Sequence, residues 1–186
     1  MALFLTILLS LTYDDGGSSS GNTKYPHTFL LPPSSPPLSA ILTRLFSSMF
    51  IHANIAHLAF NTLALVYLGG YAERTVGILK YVVIYMLAGI AGALFYSVIA
   101  TFILGNSHTV LIGASGAISG ILGIAAAAGN TRAYYWLLFQ IVFAFIGSVA
   151  AISIAFTAHI GGFIAGVLLT KVLITIEHKK RAKYLK

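Results

Sequence analysis

Val110-Leu111-Ile112-Gly113-Ala114-Ser115-Gly116-Ala117-Ile118-Ser119-Gly120 places one hydroxyl, Ser115, between glycines inside a run that is otherwise almost fully apolar. A polar side chain at membrane depth is costly, and it faces a bundle interior or a water-filled cavity. Glycines on either side let a second backbone approach it. Two readings fit these residues. Gly113, Gly116 and Gly120, with Ser115 and Ser119, form a small-residue packing seam between membrane helices, or the glycines make room for a substrate around a reactive hydroxyl. Taken alone, the stretch favours the seam.

The surrounding chain sets the environment. Of its 186 residues 58% are hydrophobic and only 8% are charged, against about a quarter charged in a soluble domain. The fold class is therefore all-α, a polytopic membrane bundle, and the length suits one compact unit. Without cysteine there is no disulfide framework, thiolate metal site or cysteine nucleophile. The net charge of +7 reports orientation in a membrane rather than nucleic-acid binding.

In chain order, residues 1–13 are apolar but short of the about 20 residues a spanning helix needs. They read as the outer part of a first span, with a signal peptide or a short helix as alternatives. Residues 14–37 are a polar Gly/Ser/Pro loop. Leu38, Ile41, Leu45 and Met49 recur at helical spacing, which predicts a short interfacial helix to residue 49. The core then runs from 50 to 176. Helices are expected over Phe50–Tyr71, Tyr81–Leu104 and from Ser115 to Ala128. A charged turn is expected at Ala72–Lys80, and other turns at 105–108 and 129–132. Gly89 and Gly92 are expected close-contact points in the second of these helices. The 44 apolar residues from Ala133 to Ile176 exceed one span and should break near Gly147–Thr157. A basic tail, 177–186, follows, for six spans in all.

Turns on alternate sides of a bilayer sort the cations. Arg74, Lys80, Arg132, Lys171, Lys179, Lys180, Arg181, Lys183 and Lys186 fall on one side, and Lys24 and Arg44 on the other. Nine against two predicts that the first set, with the C-terminus, faces the cytoplasm. Ser115 and His159 then lie at the outer ends of their helices. His57 and Asn61 sit within about three turns of the outer start of theirs, four apart and so on one face.

Serine needs a neighbouring base, most often histidine, to become a nucleophile. His159 is the candidate, because Gly162 and Gly166 share its face and allow close packing on the Ser115 helix. His57, Asn61 and the Ser115 backbone N–H are candidate donors to a developing oxyanion. Asp14, Asp15, Glu73 and Glu177 are the chain's only carboxylates. None is expected near His159, so a Ser-His dyad rather than a triad is predicted. Blander uses compete: His159 bonded to a carbonyl in the core, Asn61 bridging two helices, or His52, His57 and His159 around a metal. A zinc site wants three or four ligands, which weighs against the last. His27, His108 and His178 read as solvated, and Arg44 as an interfacial anchor.

His57 and Asn61 in HANIAHLAFN, Ser115 in GASG and His159 in AHIGGFIAG together resemble the rhomboid family of intramembrane serine proteases. Arg44-Leu45-Phe46 and Tyr67-Leu68-Gly69-Gly70 followed by Glu73 extend the match, which covers about Arg44 to Gly166. The resemblance implies a six-helix bundle in which Ser115 attacks a peptide bond of a transmembrane protein. It also implies His159 as base, His57 and Asn61 as oxyanion donors, and no metal or cofactor. Two positions depart from the family's pattern. Thr43 stands where members commonly have Trp, and Ser119 stands where many carry an aromatic stacked on the catalytic histidine. A non-catalytic fold that binds membrane clients, or a histidine-dependent transporter, are the alternatives.

Overall fold

Between Ile55 and Phe102 a single residue interrupts the helical path. Gly77 adopts φ +82°, a region side chains avoid, and turns the chain from one long helix into the next. The charged segment 72–80 is therefore not the turn expected from its composition. Glu73 and Arg74 complete the last turn of the helix ending at Val76, and Lys80 lies in the first turn of its successor. A cation at a helix C-terminus complements the helix dipole and stabilises that end, as Arg74 does here.

The structure is a computed structural model that describes residues 37–52, 55–103, 111, 113–149 and 156–184. It contains helices α1 (Leu38–Ser48), α2 (Ile55–Val76), α3 (Ile78–Phe102), α4 (Ser115–Ala127), α5 (Arg132–Val149) and α6 (Phe156–Tyr184). No strand occurs among the described residues. The expected first span (1–13), the loop to residue 36 and the turn at 105–108 lie outside them. Phe50 and His52 precede α2 rather than opening it. The apolar run from Ala133 divides between α5 and α6, and residues 150–155 between them also lie outside the described set.

Among the described residues α2, α3 and α6 are long and apolar enough to cross a membrane. Their outward faces carry Leu63, Val66, Leu79, Val83, Leu87, Leu94, Val98, Ile164 and Leu168, all exposed. Such a surface is stable against lipid and would aggregate in water. The chain is a membrane protein built as a helical bundle.

Helix α4 occupies the centre. Every residue from Gly116 to Ala126 is buried, with α2, α3, α5 and α6 packed around it. Its 13 residues rise only about 20 Å, less than the about 30 Å of bilayer hydrocarbon. Ala128, Gly129 and Thr131 at its far end are exposed, and Ser115 stands at its start, so α4 alone is shorter than the apolar layer.

Small residues make this burial possible. A Cβ on Gly162 would collide with the carbonyl of Gly116, one on Gly166 with that of Gly120, and one on Gly120 with Ala88. A Cβ on Gly123 would come within 2.6 Å of Phe163 O and Val167 N. Lipid tails are as apolar as the helices, so association depends on such close packing.

Gly123→Leu should therefore destabilise the fold by about 2–3 kcal/mol in reversible unfolding from detergent micelles, because the obstructing atoms are backbone. Gly70→Ala, which would meet only the flexible Arg74 guanidinium at 3.5 Å, should leave stability unchanged or slightly raised. Equal stability of the two variants would rule out a tight α4–α6 contact.

Candidate active site

The approach to Ser115 is shaped by Gly113. Its φ of +112° bends the chain into Ala114 and the start of α4, and its N–H donates to the Ser48 carbonyl at 2.9 Å. The first helical bond of α4 runs from Ile118 N–H to Ala114 O, and Ala114 supplies no side-chain cap. The N–H groups of Ser115, Gly116 and Ala117 precede that bond and have no acceptor within the helix. They form the positive end of a helix dipole, a location that favours negative charge.

His159, 6% exposed, places Nε2 2.8 Å from Ser115 Oγ. The direction of this bond follows the tautomer: with the ring N–H on Nδ1, Nε2 accepts from the Ser115 hydroxyl. Nδ1 is buried without a hydrogen-bond partner among the described residues. The carboxylates described are remote: Glu177 is 18 residues further along α6, about 27 Å, and Glu73 lies a similar distance from the start of α2.

The backbone around His159 is held on two sides. A Cβ on Gly92 of α3 would approach Ala158 O to 2.5 Å, and one on Gly161 would approach Phe95 Cβ to 2.6 Å. On the α4 side Gly162 rests on the Gly116 carbonyl. Residues 158–162 are thus wedged between α3 and α4 with bare backbone at each contact, which fixes the root of the imidazole. Gly92, expected as a close-contact point, meets α6 at this turn.

His57 and Asn61 meet Ser115's loop from α2. A Cβ on Gly113 would lie 2.6 Å from His57 Cε1, 2.8 Å from His57 Nε2 and 3.7 Å from Asn61 Nδ2. His57 therefore crowds the residue two before Ser115, where glycine leaves room for its ring, and Asn61 lies in ordinary contact beside it. Asn61 Nδ2 is buried with no hydrogen-bond partner among the described residues, a donor held in reserve. His52, also buried, sets the edge of its ring against His57 with centroids 5.1 Å apart. The starts of α2, α4 and α6 gather these groups at one end of the bundle. A narrow cleft opens beside Ser115, lined by Met49, Leu111 and the small residues Gly89, Ala93, Gly113, Gly116, Ala117 and Ala158.

Ser119 does not stack on His159 as an aromatic would. It is fully buried, with Oγ 2.9 Å from Ser115 O and 2.8 Å from Gln140 Oε1. Sequence reasoning missed Gln140, although a carboxamide between Leu137-Leu138-Phe139 and Ile141-Val142 was a visible signal. It missed Ser48 as well, and nothing in the sequence links Ser48 to Gly113. Among the described residues no three His, Asp or Glu side chains converge as a metal site would require.

Residues 40–176 match the family model described as the Rhomboid domain. Among curated proteins the chain is similar to Rhomboid protease AarA of Providencia stuartii, 34% identical over 163 residues, covering 72% of this chain and 57% of that protein. It is similar to Rhomboid protease GluP of Bacillus subtilis (strain 168), 38% identical over 130 residues, covering 66% and 24%. It is also similar to Inactive RHOMBOID-like protein 8 of Arabidopsis thaliana, 33% identical over 125 residues, covering 67% and 31%. The chain spans from about a quarter to just over half the length of these relatives. With a family model matched from one flank of the glycine-packed core to the other, and Ser115, His159, His57 and Asn61 all inside it, the chain belongs to the rhomboid family.

Proposed function

We propose that this chain is an intramembrane serine endopeptidase that cleaves transmembrane segments of other membrane proteins. The observation that carries the reading is the 2.8 Å contact between Ser115 Oγ and His159 Nε2 inside an apolar bundle. Two rhomboid relatives named as proteases support it.

Chemistry follows from the geometry. His159 Nε2 takes the Ser115 proton as Oγ attacks the scissile carbonyl carbon. The resulting oxyanion falls where His57 Nε2, Asn61 Nδ2 and the Ser115 N–H can donate to it. The imidazolium then passes its proton to the leaving amine, the C–N bond breaks, and an ester to Ser115 remains. His159 next removes a proton from water, which attacks the ester, and returns one to Ser115 as the second product leaves. With no carboxylate near among the described residues, Ser115 and His159 act as a dyad on this reading, and the backbone wedge around residues 158–162 takes over the orienting task of a third residue.

A substrate must present an extended backbone to Ser115, so the cleaved segment should unwind near the outer face. The nine-to-two distribution of Lys and Arg supports a cell-membrane orientation with the C-terminus in the cytoplasm and the site toward the other side. A client-binding role without catalysis is the second reading, favoured by Ser119 and by the relative named inactive.

Purified enzyme in detergent should cleave a model transmembrane substrate, and a fluorophosphonate should label Ser115. Ser115→Ala should abolish both, and cleavage by that variant at the wild-type rate would eliminate the mechanism. An unlabelled but folded wild-type chain would favour client binding. His57→Ala and Asn61→Ala should each lower kcat by roughly 10²–10³-fold, and an unchanged kcat would remove that residue from the oxyanion site. The absence of native cysteine makes orientation easy to read. Lys180→Cys should react with an impermeant maleimide only after permeabilisation, whereas reaction in intact cells would reverse the topology.

A further inference from the structure

Gln140 is not accounted for by the chemistry above. The inner seam of α5 runs through Ala133, Trp136, Leu137 and Gln140, at the spacing of one helix face. The first three pack with Leu122, Ala125 and Ala126 of α4. The fourth reaches Ser119, one turn beyond Ser115 on the face that carries the nucleophile.

The Ser119 hydroxyl has one proton and two acceptors in reach, Ser115 O and Gln140 Oε1. Turning the carboxamide end for end makes Gln140 the donor to Ser119 Oγ and commits the Ser119 proton to the Ser115 carbonyl. In that arrangement a polar link runs from the Gln140 amide of α5 through Ser119 to the carbonyl of the nucleophile itself. That peptide needs support. It stands between Gly113 and Gly116, with no side-chain cap on Ala114, and from outside it is tied through the Gly113–Ser48 bond. From inside, the described side-chain tie across helices is the one from Gln140.

We infer that Gln140 is a positioning residue, acting through Ser119 to hold Ser115 where His159 can take its proton. The inference rests on the catalytic reading above. The Gln140 carboxamide meets Ser119 beneath the nucleophile, so its effect falls on the chemical step and not on substrate binding. A small displacement of a nucleophile suffices for a measurable loss, since about 1 Å can cost about 10²-fold in rate.

The test uses the full chain in liposomes, with Ser119→Ala, Gln140→Leu, the double variant and Ser119→Thr. Rates of Ser115 labelling by a fluorophosphonate are measured beside kcat and KM for a transmembrane substrate and the melting temperature. Each single variant should lower the labelling rate and kcat by roughly 3- to 30-fold, the range a cross-helix hydrogen bond in a membrane is worth, with KM unchanged. The double variant should lose no more than either single, because both remove one link. Ser119→Thr, which keeps the hydroxyl, should restore the rate. Losses that multiply, a change in KM alone, or a fall in melting temperature without a fall in labelling would overturn the inference. Faster labelling in either variant would overturn it too, since the link would then restrain access. A wild-type chain that takes no label overturns the catalytic reading and this inference with it, whereas labelled wild type with unaffected variants overturns this inference alone.

Discussion

The approach of α6 to α4 and α3 through bare backbone is the contact on which the rest of the structure depends. Gly162 and Gly166 rest on carbonyls of α4, and Gly92 of α3 closes on Ala158 from the other side. In hydrocarbon no hydrophobic force draws helices together, so packing at this distance supplies the association energy. The same contacts bring His159 within hydrogen-bond reach of Ser115. Stability and site geometry are thus one property here. A side chain larger than hydrogen at Gly162 would separate both the helices and the pair.

A second constraint concerns polar groups that water cannot reach. A buried donor without a partner costs about 1–3 kcal/mol, yet Asn61 Nδ2 and His159 Nδ1 have none among the described residues. For Asn61 the catalytic reading gives that cost a purpose. A donor fixed in advance, beside His57 and the open end of a helix, meets developing negative charge with no reorganisation at the moment of reaction. Satisfying it within the resting protein would remove that readiness. The adjoining Ser119, by contrast, has Ser115 O and Gln140 Oε1 of α5 within hydrogen-bond reach.

Much of this was legible in the sequence because the informative residues are rare in their surroundings. Ser115, His57, Asn61 and His159 stand out from apolar runs, and helical spacing with alternating sides of the bilayer puts them at one end. Gly162 and Gly166 announced the close helix by their spacing from His159. The boundaries of α2 were not legible, since charge at 72–80 looks like a turn and the break is the backbone of Gly77 alone. The tie between Ser48 and Gly113 joins residues 65 positions apart through backbone atoms, which carry no side-chain signature. Gln140 was visible as an anomaly, but its partner on α4 was decided by the rotation of α5, which no local pattern encodes.

The far end of the bundle holds Glu177, one of the two described carboxylates. Glu177 pairs with Lys80 where α6 and α3 both reach partly exposed positions, and a surface pair of this kind is stabilised only modestly. A carboxylate beside His159 would instead be charged within the hydrocarbon layer, where its desolvation costs several kcal/mol unless bonds replace its hydration. Orientation of an imidazole can be had without that cost when the backbone beneath it cannot move. Residues 158–162, held between Gly92 and Gly116, meet that condition. Where Ser115 and His159 act as the proposed dyad, close glycine packing takes the place of the third side chain that a soluble serine hydrolase draws from a better-hydrated fold.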